Sequence, residues 1–160
     1  MSFVMTPGLA GCIVLAHTTL LKIMQTALWR GPGSKAASLG APNWMAVKTE
    51  LENIPLYNIM GAAQRNEAEY SPVFCAALFF CAVQGIPATV ASWLAVLGQV
   101  LYYWPRVFLA NELNYNNGFP LYVPGALMRY ASLVMLQASS SEWGLIQSLK
   151  IGQWSGGASL

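Results

Sequence analysis

Residues 64–74 read Gln64-Arg65-Asn66-Glu67-Ala68-Glu69-Tyr70-Ser71-Pro72-Val73-Phe74. A charged, hydrogen-bonding cluster runs directly into Cys75-Ala76-Ala77-Leu78-Phe79-Phe80, an apolar stretch of membrane-spanning character. Polar groups at such a boundary are costly to desolvate. A chain this poor in charge is expected to use them. The apolar run therefore sets the fold, and the polar cluster before it sets the candidate site.

The composition fits that reading. The chain has 160 residues, 56% hydrophobic and 9% charged, against about 25% charged in a typical soluble domain. Mean hydropathy is positive. One domain of an integral membrane protein is expected. A net charge of +2 is too small to point to nucleic acid. Cys12, Cys75 and Cys81 all lie in apolar runs, no CxxC pair exists, and His17 is the only histidine. Neither a metal site nor a disulfide is expected. The N-terminus lacks the basic segment and cleavage site of a signal peptide, so an uncleaved chain is expected.

Four apolar spans of about the ~20 residues needed to cross a bilayer can be drawn, at residues 9–29, 66–86, 88–110 and 119–138. No strand-period alternation suggests a barrel. The expected fold is all-α, a four-helix integral membrane bundle. Thr6-Pro7-Gly8 reads as a helix start. Gln84-Gly85-Ile86-Pro87 reads as a tight turn, and Asn111 to Gly118 as a short polar one. The long polar connection, residues 30–64, opens with Arg30-Gly31-Pro32-Gly33-Ser34-Lys35, read as flexible. It holds a candidate interfacial helix, Val47 to Leu56, stopping at Pro55. The tail, residues 139–160, shows one amphipathic turn. Arg30, Lys35 and Lys48 in the first connection, with Arg65 just beyond it, place that side toward the cytoplasm, matrix or stroma.

Several polar residues fall on or inside the expected spans. Asn66, Glu69 and Tyr70, at i, i+3 and i+4, share one helical face. They either tie helix ends together or hold a polar ligand. Glu67 points elsewhere and is expected to be solvated. Lys22 either snorkels toward the interface or pairs with Glu69. His17, near Thr18 and Thr19, is expected to be a hydrogen-bonded packing residue. Gln99, Tyr102 and Arg106 share a face of the third span, Tyr103 and Trp104 suit an interfacial belt, and Pro105 is expected to kink or end that helix. Arg106 could meet Glu69, Glu112 or lipid headgroups. Arg129 should face the bundle or a partner, away from lipid.

Asn66-x-x-Glu69-Tyr70-x-Pro72-x-Phe74, preceded by Ala63-Gln64, resembles the second-helix signature of the MAPEG family, and Gly98-Gln99-Val100-Leu101-Tyr102 resembles its third-helix pattern. That family contains microsomal glutathione transferases, leukotriene C synthase and a non-catalytic relative. The resemblance covers about residues 9–136. It implies a trimeric four-helix bundle, with glutathione held between subunits and its thiolate attacking lipophilic electrophiles or lipid peroxides. It implies glutathione contacts at Gln64, Asn66, Glu69, Tyr70 and Tyr102. The departures concern the cations. Ala62 and Gln99 stand where the family has arginines, and Arg106 stands where it has an aromatic residue. The thiolate-stabilising arginine near helix four has no clear match around Asn116 to Pro120. Because a thiol needs adjacent positive charge to ionise near neutral pH, Arg65, Arg106 and Arg129 are the candidates to compensate.

The expected function is that of a non-catalytic structural or accessory subunit with a partly eroded glutathione site. The alternative is a glutathione-dependent transferase or peroxidase with glutathione as co-substrate. A small transporter fits less well, since no paired broken helices occur. The expected partners are membrane lipids and either other membrane subunits or two further copies of the chain. The expected location is an organellar membrane: mitochondrial, plastid or endoplasmic reticulum.

Overall fold

A computed structural model describes residues 4–38, 49, 53, 55–109 and 119–155. It is all-α, with four long helices: α1 (Pro7–Ser38), α2 (Pro55–Val83), α3 (Thr89–Leu109) and α4 (Phe119–Ser155). The helices run up, down, up, down. Thr18 of α1 meets Ser71 of α2. Ser132 of α4 bonds the Ala91 carbonyl of α3. The most extensive contacts are between α3 and α4, then between α1 and α2, while the described backbones of α1 and α4 do not approach closely.

The helix ends have local causes. Thr6 caps α1, its Oγ1 accepting from the Leu9 amide at 3.3 Å, and Pro7 follows at the first helical position. α2 ends in a Schellman turn. The Gly85 amide bonds the Ala82 carbonyl at 3.2 Å and the Ile86 amide bonds Cys81 at 2.8 Å. Gly85 takes φ +68°, which glycine adopts without a Cβ penalty. The expected turn at residues 84–87 is therefore present.

Three expected boundaries are corrected. The span drawn at 9–29 continues as helix to Ser38, through the stretch read as flexible. Glycine and proline weaken a helix, but the fixed φ of proline lies in the helical range. The second helix starts at Pro55, well before residue 66. Proline suits a first turn because its missing amide would have no partner there, and Pro55 begins this helix. Of the interfacial helix expected at 47–56, Thr49 and Asn53 precede α2 in the description, joined by an amide–carbonyl bond of 3.2 Å. The remaining residues before Pro55 lie outside the described residues. The tail drawn from residue 139 is helix to Ser155. Ser140 and Ser141 bond the carbonyls of Leu136 and Gln137, at 2.8 and 2.9 Å, so this polar run is satisfied within the helix. α3 matches its expected span closely and runs past Pro105 to Leu109. The connection 111–118 lies outside the described residues.

Of the four expected spans, only Pro7–Ala27 is long and apolar enough to cross a bilayer by length and composition, with mean hydropathy 1.4, among the described residues. A signal sequence near an N-terminus has the same properties. The other helices carry polar side chains mid-run, Glu67 and Glu69 in α2, Gln99 in α3 and Arg129 in α4, and Arg106 lies in the last turn of α3.

The interior is layered. Near the Schellman turn an apolar cluster includes Val14, Phe74, Leu78 and Leu136. Toward the other end of the bundle a second joins Leu21, Met60, Ala63, Tyr103 and Val107. Between them lie buried Glu67, Ser71, Gln99 and Arg129. Large apolar side chains are exposed on the outside: Val134 is 69% exposed, Leu127 64% and Ile23 60%. The three cysteines are free.

Two glycines let α3 and α4 approach closely enough to enclose this layer. A Cβ at Gly125 would lie 2.7 Å from the Leu101 carbonyl carbon and 2.8 Å from Tyr102 Cα. A Cβ at Gly98 would lie 2.9 Å from the Arg129 backbone nitrogen. Small residues at a crossing bring backbones together. Gly125→Val should therefore cost about 3 kcal/mol through helix separation. Gly85→Ala, in open space, should cost only about 1 kcal/mol of left-handed strain. Thermal unfolding of both variants in detergent checks the order.

Candidate functional site

The inward face of α2 is set by Ala63, Glu67, Ser71, Phe74 and Leu78, all buried. Glu67 is therefore at the centre of the bundle, which corrects the expectation of a solvated side chain. Glu69 lies exposed on another face. The sequence signal lay in the small residues four positions either side of Glu67. Ala63 and Ser71 let neighbouring helices close over it.

Glu67 draws on three helices. Its Oε2 accepts from Gln99 Nε2 of α3 at 2.7 Å and from the Ser71 hydroxyl at 3.1 Å. Arg129 Nη1 of α4 lies 3.6 Å from its Oε1, an ion pair whose side chains are 3% and 0% exposed. Gln99 Nε2 also reaches Ser71 Oγ at 3.1 Å. Thr18 of α1 lies 2.9 Å from Ser71 Oγ and also from its own Val14 carbonyl, and its single proton serves one at a time. Each of the four helices thus contributes to one polar layer.

Arg129 is held further. Nη1 donates to Asn66 Oδ1 at 3.1 Å. The guanidinium carbon lies 4.5 Å from the Tyr70 ring centroid and 4.6 Å from that of Tyr102, within cation–π range. The pair's attraction at this separation is roughly 5 kcal/mol for an effective dielectric of about 20. Desolvation costs several kcal/mol per ion. Attraction alone is thus about cancelled, and the hydrogen bonds and aromatic faces tip the balance.

Asn66, Tyr70, Tyr102 and Arg129 converge, with Ala126 and Tyr130, on a cleft of about 30 Å³. Tyr70 and Tyr130 close one side through a 2.9 Å hydroxyl contact. The cleft has room for a water molecule or two, whereas small-molecule sites usually run from about 300 to 1,000 Å³. Four of the eight named candidates therefore meet there. The other four do not. Gln64 is half-buried, Arg65 and Glu69 are exposed, and none of the three lines the cleft. Arg106 donates to the Tyr102 hydroxyl at 2.7 Å and covers the rings of Tyr102 and Tyr122.

Other expectations are answered by position. Arg129 faces the bundle. Lys22 and Glu69 are both exposed and do not form an ion pair with each other. His17 packs edge-on against Tyr103 and Trp104, at 5.8 and 5.9 Å between ring centres, but neither nitrogen has a hydrogen-bond partner among the described residues. No metal-holding group of His, Cys, Asp or Glu occurs among the described residues. Glu67, Ser71 and Thr18 are the residues that sequence reasoning missed as a set.

Compared with family models, curated proteins and solved structures, the chain matches none. The geometry defines an all-α bundle with a charged layer closed inside it.

Glu67→Gln should leave Arg129 buried and unpaired and lower stability by about 3–5 kcal/mol. Glu69→Gln, on the surface, should change it by less than about 0.5 kcal/mol. Denaturant or thermal unfolding of both separates the two glutamates.

Proposed function

We propose that the chain is an integral membrane subunit that acts as a structural or accessory component of a membrane assembly. The carrying observation is the inverted distribution of polarity. Glu67, Gln99 and Arg129 are buried while Leu15, Val73, Phe80, Leu97 and Val134 are exposed around the bundle. Water would penalise such an exterior. Lipid would not, and intramembrane charges belong in an interior where they find partners. The apolar length of Pro7–Ala27 supports the same reading. The close crossing at Gly98 and Gly125 supports it as well, because small residues are favoured where membrane helices pack.

The non-catalytic reading rests on how Arg129 is used. A cation that activates a thiol must be free to face it. Here Arg129 Nη1 is committed to Glu67 and Asn66 and the guanidinium lies over two tyrosine faces, leaving Nη2 without a hydrogen-bond partner among the described residues. The glutathione reading that the MAPEG resemblance suggests keeps one observation in its favour, the meeting of Asn66, Tyr70, Tyr102 and Arg129 at one cleft. At about 30 Å³ the cleft could form only a corner of a tripeptide site. Neighbouring copies would have to supply the rest.

The two readings differ in solution. The purified protein in detergent should show no rise in Tm with millimolar glutathione and no conjugation of a chlorinated aromatic electrophile. It should co-purify from its membrane in a stoichiometric complex. A glutathione-dependent Tm rise of several degrees, with turnover, would sink the structural reading.

A further inference from the structure

Lys22 is the only charged residue in the apolar stretch Pro7–Ala27. It is exposed, and its neighbours Leu20 and Ile23 are exposed and apolar. Against that apolar surface, Lys22, Gln25 and Thr26 occupy positions i, i+3 and i+4 of α1 and so share one face. With Tyr57 at the start of α2 they line an open cavity of about 290 Å³. This is near the lower end of the small-ligand range, roughly 300 Å³. The cavity is distinct from the Arg129 cleft and shares no residue with it.

Its chemistry favours an anion. Lys22 supplies an ammonium, Gln25 two amide protons and Tyr57 a phenol proton. The Thr26 hydroxyl is turned inward, donating to the Lys22 carbonyl at 2.8 Å, so it contributes an oxygen and not a donor. Three donor groups around one space, one of them the charged ammonium, suit a phosphate, which lysine binds by charge and without a fixed fork. Gly61 of α2 faces Gln25, and a Cβ there would lie 3.7 Å from the Gln25 amide nitrogen. The carboxamide is thus held against α2, at the edge of the cavity.

We infer that the α1–α2 groove at Lys22, Gln25 and Tyr57 binds a phosphate-bearing anion, either an anionic lipid headgroup or a soluble phosphate compound. The headgroup source rests on the membrane reading above. The site itself needs only the groove.

The test uses the full chain purified in neutral detergent, with Tm followed against phosphatidylglycerol, phosphatidylcholine and inorganic phosphate. Phosphatidylglycerol should raise Tm and phosphatidylcholine should not. Lys22→Gln should weaken apparent affinity roughly tenfold or more, as loss of a charged hydrogen bond would. Tyr57→Phe should weaken it several-fold. Both variants should keep the wild-type Tm in lipid-free detergent, since Lys22 is exposed and Tyr57 keeps its ring. A Lys22-dependent shift with inorganic phosphate alone assigns the site to a soluble phosphate compound. Absence of any shift with either anion, or shifts that Lys22→Gln leaves unchanged, overturns the inference. Carbonate extraction of native membranes keeps the two proposals apart. Release of the protein there defeats the membrane reading and leaves the phosphate arm standing.

Discussion

The Glu67–Arg129 ion pair is the constraint around which the bundle is organised. Two opposite charges closed inside four helices need partners beyond each other; most are supplied here, while Arg129 Nη2 has no hydrogen-bond partner and Glu67 Oε1 has only the ion pair among the described residues. Gln99 and Ser71 serve one oxygen of Glu67, Asn66 serves Arg129, and Tyr70 and Tyr102 offer their ring faces to the guanidinium. These groups come from α2, α3 and α4, and Thr18 links α1 through Ser71. Sliding any helix by one turn would move its member of the set about 5.4 Å and leave a buried charge unmatched. Apolar packing above and below the layer gives cohesion, and the polar layer gives register. Gly98 and Gly125 follow from it, since only a close α3–α4 crossing encloses Arg129.

This arrangement bears directly on chemistry. Asn66 and Tyr70 lie against an arginine that is ion-paired from within the chain. Glu67 is its counter-ion. The residues of this polar cluster therefore serve the bundle through their contacts between helices. The outward-facing polar groups, Glu69 and Arg65, are left for solvent, headgroups or partners.

Much of the helical architecture was legible in the sequence because long apolar runs without strand-period alternation admit few other structures, although among the described residues only Pro7–Ala27 is apolar enough to cross a bilayer. The Gly85–Pro87 turn was legible because its glycine and proline leave one economical geometry. The helix ends were harder. Pro55 reads as a stop or a start depending on which side the helix lies, and the stretch after residue 138 reads as a tail, whereas Ser140 and Ser141 turn their hydroxyls back onto the preceding carbonyls and the helix continues. At the site, Arg129 was rightly expected inside, since an arginine in an apolar run has few other places to go. Glu67 was misread because the spacing of Asn66, Glu69 and Tyr70 identifies a face without saying which way it points. That direction is fixed by Ala63 and Ser71 packing against other helices, a tertiary fact that periodicity alone does not carry.

A double-mutant cycle on Glu67 and Arg129 tests the organising role of the pair most directly. Unfolding free energies are measured in one detergent for wild type, Glu67→Gln, Arg129→Gln and the double variant. A coupling above about 2 kcal/mol, with the double variant no less stable than either single one, is the predicted result. Additive losses within about 0.5 kcal/mol would mean that the two side chains do not depend on each other, and the polar layer would not be what sets the bundle.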